Sequence, residues 1–323
     1  MSLAPVTVAV PAFRATWLSQ CLASVLAQTF GDYELLISDD CPDGSVKEVV
    51  AQFSDPRIRL IEGPRQGLVA NSLHLWNSAR HDFLKFLYDD DFLMPFALAE
   101  MRDALARHPA APLAFARRHI VDPKGKIVLS PEIFPGAKSI QLKEGLLVRS
   151  AILTLHSPVG EPSSMLIRRS AFASADCLRF YRGLPVRHLI DVCLLFNSCD
   201  VGPTVGIANF LSAFRRHGGQ ATEGRDNPAF SAGLFEWELF IRGSIDAGYV
   251  SNAVADGAIV RLAKAYEARA AAFPELRALL RGLLGLRADL EQGSACGITD
   301  DFRRDYLAAM AVIDERVAAS LAR

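Results

Sequence analysis

Residues 83–98 read FLKFLYDDDFLMPFAL. Phe83, Leu84, Phe86 and Leu87 form an apolar run broken only by Lys85, the pattern of a strand buried on both faces. From Met94 the apolar residues change period, with Met94, Leu98, Met101 and Leu105 on one face of a helix that carries Pro95 in its early turn. Asp89, Asp90 and Asp91 therefore fall where a buried strand ends and a helix has not begun. In an open parallel sheet the rim outside the carboxyl ends of the strands is where ligands bind. Three adjacent carboxylates raise each other's pKa unless something positive lies among them. A divalent cation is one solution, since magnesium takes one or two carboxylates and leaves its other positions to water and phosphate. A solvated acidic turn that caps the next helix is the other, and both stay open on this stretch alone.

Upstream, VTVAVPAF (6–13) reads as a first buried strand, and Trp17, Leu18, Cys21, Leu22, Val25 and Leu26 then repeat at helical spacing up to Gly31. YELLIS (33–38) is a second strand running into Asp39 and Asp40, followed by the turn CPDGS and a short helix through Val46, Val49, Val50 and Phe53. IRLIE (58–62) is a third strand, and a helix through Leu68, Leu73, Leu75 and Trp76 leads back to residue 83. Strand and helix alternate with short connections, which predicts a parallel sheet covered by helices on both faces.

Downstream, 112–129 reads as two strands around the turn DPKG, 131–160 is mixed, 160–172 is a strand and a helix start, 190–198 is helical, and VGIANFLSAF returns to strand character. RRHGGQATEGRDNP (215–228) reads as a polar, mobile loop. From about 229 the spacing is helical throughout, with a break at GSACG. The expected organisation is a domain over 1–222 and a C-terminal helical region over 223–323.

The chain has 323 residues, half of them hydrophobic, and 35 basic against 36 acidic side chains give a net charge of -1. That composition belongs to globular proteins and excludes an overall electrostatic affinity for nucleic acid. The six cysteines form no CxxC pair, which fits a reduced cytosolic protein better than a disulfide framework or a zinc site. No apolar stretch approaches membrane-spanning length, and MSLAP leads directly into a strand without a signal sequence. The expected location is the cytoplasm, free or at the inner face of the membrane. His74, His81, His108, His119, His156 and His188 lack metal-ligand spacing and read as structural, and the arginine pairs at 117–118 and 168–169 read as solvated faces.

Two acidic strand ends, Asp39-Asp40 and Asp89-Asp90-Asp91, fall on one predicted sheet, and at this point residues 5–222 resemble the family-2 inverting glycosyltransferases. The resemblance implies an α/β fold of GT-A type, a Rossmann-like, mostly parallel sheet flanked by helices, here with a C-terminal helical appendage. Pro11-Ala12-Phe13-Arg14 is similar to the family's P-x-[YF]-N segment, with Phe13 as the stacking partner of the nucleotide base and Arg14 in place of a polar residue. Ser24 to Phe30 is similar to S-x-L-x-Q-T-F, read as packing. Asp39 to Ser45 matches D-D-x-S, with Asp40 accepting a hydrogen bond from the base edge. Asp89 to Pro95 fits the end of D-x-D-D-x-L-x-P, with Tyr88 where the first Asp often lies. Aligned on Pro95, Asp90 looks like the main ligand of a divalent cation, Mn2+ or Mg2+, with Asp89 or Asp91 assisting. Gly160-Glu161-Pro162-Ser163 is similar to the family's G-x-P-S wall of the sugar pocket. Asp191 matches the catalytic base of E-D-x-x-L, with Ile190 in place of Glu. Phe214-Arg215-Arg216-His217 matches Y-R-x-H, which makes His217 a metal or pyrophosphate contact and Arg215 or Arg216 a neutraliser of the diphosphate.

The implied activity is metal-dependent, hexosyltransferase-like transfer from a nucleotide-diphosphate sugar to the hydroxyl of a carbohydrate or lipid-linked acceptor, in the synthesis of polysaccharide, lipopolysaccharide or a glycoconjugate. One carboxylate on the face opposite the leaving group deprotonates the acceptor and gives inversion. Each assignment has a bland counterpart: Asp191 as an N-cap, Phe13 as core, His217 as an exposed loop residue. Two other functions stand beside it. A sugar-nucleotide nucleotidyltransferase needs a Gly-rich phosphate loop after the first strand, where PAFRATWL has no glycine; a non-catalytic homologue is compatible with Tyr88 and Ile190. The helical tail is open to dimerisation, to covering the acceptor site or to membrane contact.

Overall fold

The computed structural model describes residues 4–134, 136, 139–220, 229–293 and 296–321. Residues 221–228 of the polar loop at 215–228 lie outside the described residues, and so does the expected boundary at 222–223. The chain forms two compact units: residues 1–143, 159–176 and 201–218 make the first, and 144–158, 177–200 and 219–323 the second. The helical unit thus takes 144–158 and 177–200 from the first 222 residues and begins its last segment at 219.

The first unit is built on a ten-stranded sheet. Its first half follows the alternation read above: β1 (Val6–Ala12), α1 (Leu18–Leu26), β2 (Tyr33–Asp39), α2 (Ser45–Val50), β3 (Ile58–Glu62), α3 (Leu68–Ser78) and β4 (Phe83–Phe86). These four strands pair in parallel in the order β3-β2-β1-β4. Side chains alternate across β1, so Val6, Val8, Val10 and Ala12 share a core with Leu18, Leu22 and Val25 of α1 and Val46 and Val50 of α2, while α3 packs on β1 and β2 outside that core.

The second half departs from a purely parallel sheet. β5 (Phe92–Leu93) precedes α4 (Ala97–Arg107), and β6 (Leu113–Val121), β7 (Ile127–Leu129), β8 (Ile140–Leu142), β9 (Met165–Arg168) and β12 (Thr204–Arg215) complete the sheet. β9 runs antiparallel between β4 and β6, whereas β6 and β12 are parallel and β5 closes the edge antiparallel to β12. Met94 and Pro95 lie before the helix rather than in its first turn. Ser24 and Gln28, read as packing, hold this turn: the Ser24 hydroxyl accepts the Leu93 N–H at 3.0 Å, and the Gln28 amide donates to the Met94 carbonyl at 2.7 Å and accepts the Leu98 N–H at 3.0 Å.

The second unit contains a two-stranded ribbon, β10 (Phe180–Tyr181) and β11 (Leu184–Pro185), and the helices α5 (Leu146–Thr154), α6 (Ile190–Val201), α7 (Ala232–Asp246), α8 (Asn252–Arg269), α9 (Leu276–Glu291) and α10 (Asp300–Leu321). Its buried charges have partners inside the unit. Glu238 and Arg242, both buried, pair at 2.8 Å with the Tyr266 hydroxyl donating to the same carboxylate, and Arg316 grips Glu275. No helix among the described residues is long and apolar enough to cross a membrane. None of the six cysteines forms a disulfide among the described residues.

Candidate functional site

The chain runs β1-β2-β3 to one side and returns to β4 on the other, so β1 and β4 flank the point where strand order reverses. β4 pairs with β1 only from Val6 to Ala9, whereas β2 follows β1 to Ala12. The strands part there, and Pro11, which has no N–H to offer, sits where β1 has lost its partner on that side. Phe13 follows β1 at this parting, Asp39 ends the neighbouring β2 with Asp40 next, and Asp89-Asp90-Asp91 come shortly after β4.

Asp89 is buried and turns back into the fold, its Oδ2 accepting the backbone N–H groups of Phe13 and Arg14, each at 2.7 Å. Burial pushes its carboxyl up to about 6, against the pull of these two donors. The result is a fixed backbone beneath an aromatic ring that is 54% exposed, so Phe13 is not core. Asp40 is also buried; one carboxylate oxygen accepts the Arg65 N–H and the other the Gly67 N–H at 3.3 Å, which ties the β3–α3 loop to the end of β2.

Asp90 points the other way. Its Oδ2 lies 2.9 Å from His217 Nε2, and the imidazole is tilted against the Trp17 ring with centroids 4.4 Å apart. Asp91 is 1% exposed; its Oδ1 accepts the Arg215 N–H at 2.9 Å, while Oδ2 has no hydrogen bond of good geometry among the described residues. Burial, then the neighbouring Asp90, push its pKa well up, with the Ser163 hydroxyl and the Arg215 N–H opposing. No group of three or more His, Cys, Asp or Glu side chains converges as a metal cage among the described residues. The Asp90–His217 pair nevertheless fits a divalent cation that keeps most of its shell for water and phosphate. Asp91, with one buried oxygen committed and the other enclosed, suits support of this pair better than direct ligation.

Arg215 differs from its sequence reading. Its side chain is 1% exposed and its donors go to the carbonyls of Asp90 (2.8 Å), Asp122 (3.3 Å) and Pro123 (3.0 Å) and to the Gln20 side chain. It braces the Asp90–Asp91 backbone, and the exposed cation on this segment is Arg216. The pairs at 117–118 and 168–169 are not solvated faces either. Arg117 and Arg118 are buried, with Arg117 donating to the carbonyls of Phe134 (2.7 Å) and Gly136 (2.6 Å). Arg168 and Arg169 donate to carbonyls of Leu105 and His81.

The turn at 160–164 joins this constellation. Arg118 Nε lies 2.5 Å from Glu161 Oε2, and its guanidinium covers Gly160, where φ is +84° and an added Cβ would stand 2.4 Å from the guanidinium carbon. Pro162 opens the 3-10 turn Pro162–Ser164. The Ser163 hydroxyl accepts the Tyr88 N–H at 3.0 Å, and the fully buried Lys85 ammonium donates to the carbonyls of Ser163 and Phe86. Burial brings the Lys85 pKa down to about 7, against the raising influence of Asp91 and Cys21. Lys85, Trp17, Gln20 and Arg118 are working parts that periodicity alone does not single out. A lysine inside an otherwise apolar strand was the available signal, because such a charge is buried only with partners.

Asp191 belongs to the second unit, in the first turn of α6 and half-buried. It occupies the helix start on which its candidacy was based.

A profile of the family described as "Glycosyl transferase family 2" matches residues 7–174, more than half of the chain. Among curated proteins, the chain is 33% identical over 115 residues to the "O-antigen biosynthesis protein RfbC" of Myxococcus xanthus, covering 34% of this chain and 9% of that protein. It is 35% identical over 100 residues to the "GalNAc(5)-diNAcBac-PP-undecaprenol beta-1,3-glucosyltransferase" of Campylobacter jejuni, covering 29% of this chain and 32% of that protein. The chain thus spans only a minor part of these relatives. Among solved structures, S. aureus TarS 1-349 in complex with UDP-GlcNAc superposes with a TM-score of 0.59 at 13% identity, covering 95% of this chain and 92% of that one, a likeness of fold.

Proposed function

The chain belongs to glycosyl transferase family 2 and has a GT-A type fold, and from that premise we propose that it transfers a sugar, with inversion, from a nucleotide-diphosphate donor to an acceptor hydroxyl in the synthesis of a cell-envelope polysaccharide or glycoconjugate. The observation that carries this reading is the arrangement at the strand parting: Asp89 fixes the backbone under an exposed Phe13, while the adjacent Asp90 faces His217. One site thus offers a stacking surface for a base next to a carboxylate and an imidazole suited to a cation and its diphosphate.

Phe13 takes the base face, and the β3–α3 loop held by Asp40 borders it. Asp90 and His217 would hold Mn2+ or Mg2+, which would neutralise the charge that grows on the departing diphosphate. Arg215 keeps the Asp90–Asp91 backbone in place, and Arg216 is the exposed cation available to phosphate oxygens. Glu161, Pro162 and Ser163 form the turn that borders the sugar, with Lys85 and Arg118 fixing its shape. Asp191 accepts the acceptor's proton as the hydroxyl attacks.

The curated relatives' names place them in O-antigen and undecaprenol-linked glycan assembly, and TarS was crystallised with UDP-GlcNAc; uridine is therefore the first base to try. The test is a panel of UDP- and dTDP-sugars with manganese. Release of free nucleoside diphosphate is expected. Pyrophosphate exchange would favour a nucleotidyltransferase instead, and binding without turnover a non-catalytic homologue.

A further inference from the structure

The C-terminal helices bear directly on the segment that enters α6. Val186 to Leu189 link β11 to that helix; the Val186 N–H donates to the Arg179 carbonyl at 2.7 Å, and side chains of α7 and α10 hold Pro185 and Arg187 to Leu189, within the second unit. Glu236 of α7 is buried, and its carboxylate accepts three successive backbone N–H groups, those of Arg187, His188 (3.0 Å) and Leu189 (2.7 Å). One turn earlier on the same helix face, Gly233 lets the His188 ring lie against the backbone; a Cβ there would stand 2.7 Å from His188 Cδ2. From α10, the Tyr306 hydroxyl donates to the Pro185 carbonyl at 2.7 Å, and Asp314 pairs with Arg187 at 3.0 Å. The Leu189 carbonyl then receives the first helical bond of α6, from Cys193 N–H at 2.8 Å, with Asp191 in that turn.

We infer that Glu236 is a positioning residue: with Tyr306 and Asp314 it sets the entry of α6 and so the aim of the Asp191 carboxylate. This rests on Asp191 being the base. A carboxylate gathered around three amide groups of a four-residue link is a costly device for mere packing, since burial pushes its carboxyl up to about 7 even with those donors. Apolar contact would hold a helix start at less expense; what the clamp adds is direction, and misplacement of a reacting group by about 1 Å costs on the order of a hundredfold in rate.

The test uses the full chain with manganese and the UDP-sugar that turns over fastest, water serving as acceptor. Glu236→Gln turns an amide NH2 toward the clamped N–H groups; kcat is expected to fall about tenfold or more with donor KM within about twofold. Asp191→Asn and the double variant complete a cycle, and Glu236→Gln should add little once Asp191 is gone. An unchanged kcat in Glu236→Gln, or an equal fall in the Asp191→Asn background, overturns the inference. Retained turnover in Asp191→Asn would instead sink the base assignment itself. Should Glu236→Gln not fold, Tyr306→Phe and Asp314→Asn each remove one handle. Both are expected to lower kcat about two- to fivefold at constant KM, and no change in either would overturn the inference.

Discussion

The two units bury charge in opposite ways. In the helical unit, Glu238 meets Arg242 and Tyr266, Glu275 meets Arg316, and Glu236 meets three backbone donors. In the sheet unit the acids crowd together: Asp89, Asp90 and Asp91 are consecutive, one Asp91 oxygen has no good donor among the described residues, and Asp90 faces the imidazole of His217. A matched carboxylate is architecture, because its protons and lone pairs are already used. A rim acid that faces an imidazole has room for something from outside, and a cation with a diphosphate would add positive charge beside Asp90.

Substitutions can break or sharpen this contrast. The largest effect should come from Asp191→Asn, which keeps the shape but cannot take a proton: turnover of the donor falls about a hundred- to ten-thousandfold while its calorimetric Kd changes little. Asp90→Ala acts on the other side of the comparison, and manganese-dependent binding of UDP should weaken about a hundredfold. Equal loss of binding in both variants would remove the distinction between a chemical and a binding carboxylate. Phe13→Ala should weaken UDP binding by about 1–3 kcal/mol, the usual worth of base stacking. Its melting temperature should stay put, because the ring is exposed.

The smallest effect is a pair of opposite pH slopes. Lys85 has its pKa lowered from 10.5 to about 7 by burial. The unfolded chain therefore binds the extra proton between those values, and the group's contribution to stability rises with pH across that window. Glu236 has its pKa raised from 4.5 to about 7, again by burial, so the folded chain holds the extra proton and the contribution falls as pH rises toward neutrality. Urea unfolding should show Lys85→Met flattening the alkaline arm and Glu236→Gln the acid arm, each by at most about 1.4 kcal/mol per pH unit. The same arm changing in both variants would contradict the assignment of these two charges.

Much of the sheet unit was legible in one dimension. The run VTVAVPA becomes β1 because a strand buried on both faces needs continuous apolar residues, and α1 and α3 follow from spacing at 3.6 residues. The antiparallel insertion of β9 between β4 and β6 was not legible, since periodicity is silent on direction and partner. The same limit applies to polar residues. Ser24 and Gln28 looked like bystanders in an apolar helix and are the hydrogen bonds that shape the turn after Asp91.

Order along the chain was enough to bring Phe13, Asp40 and the three aspartates to one rim, because strands of a parallel sheet all end on the same side. Which of these acids faces outward depends on donors contributed from far away. The amides of Phe13 and Arg14 draw Asp89 in, the Arg215 amide draws Asp91 in, and Asp90 is left to His217. Arginine is read as solvated in a string of letters. Arg215 and Arg118 are buried because carbonyls and a carboxylate more than forty positions away surround them, and such partners come together only in three dimensions.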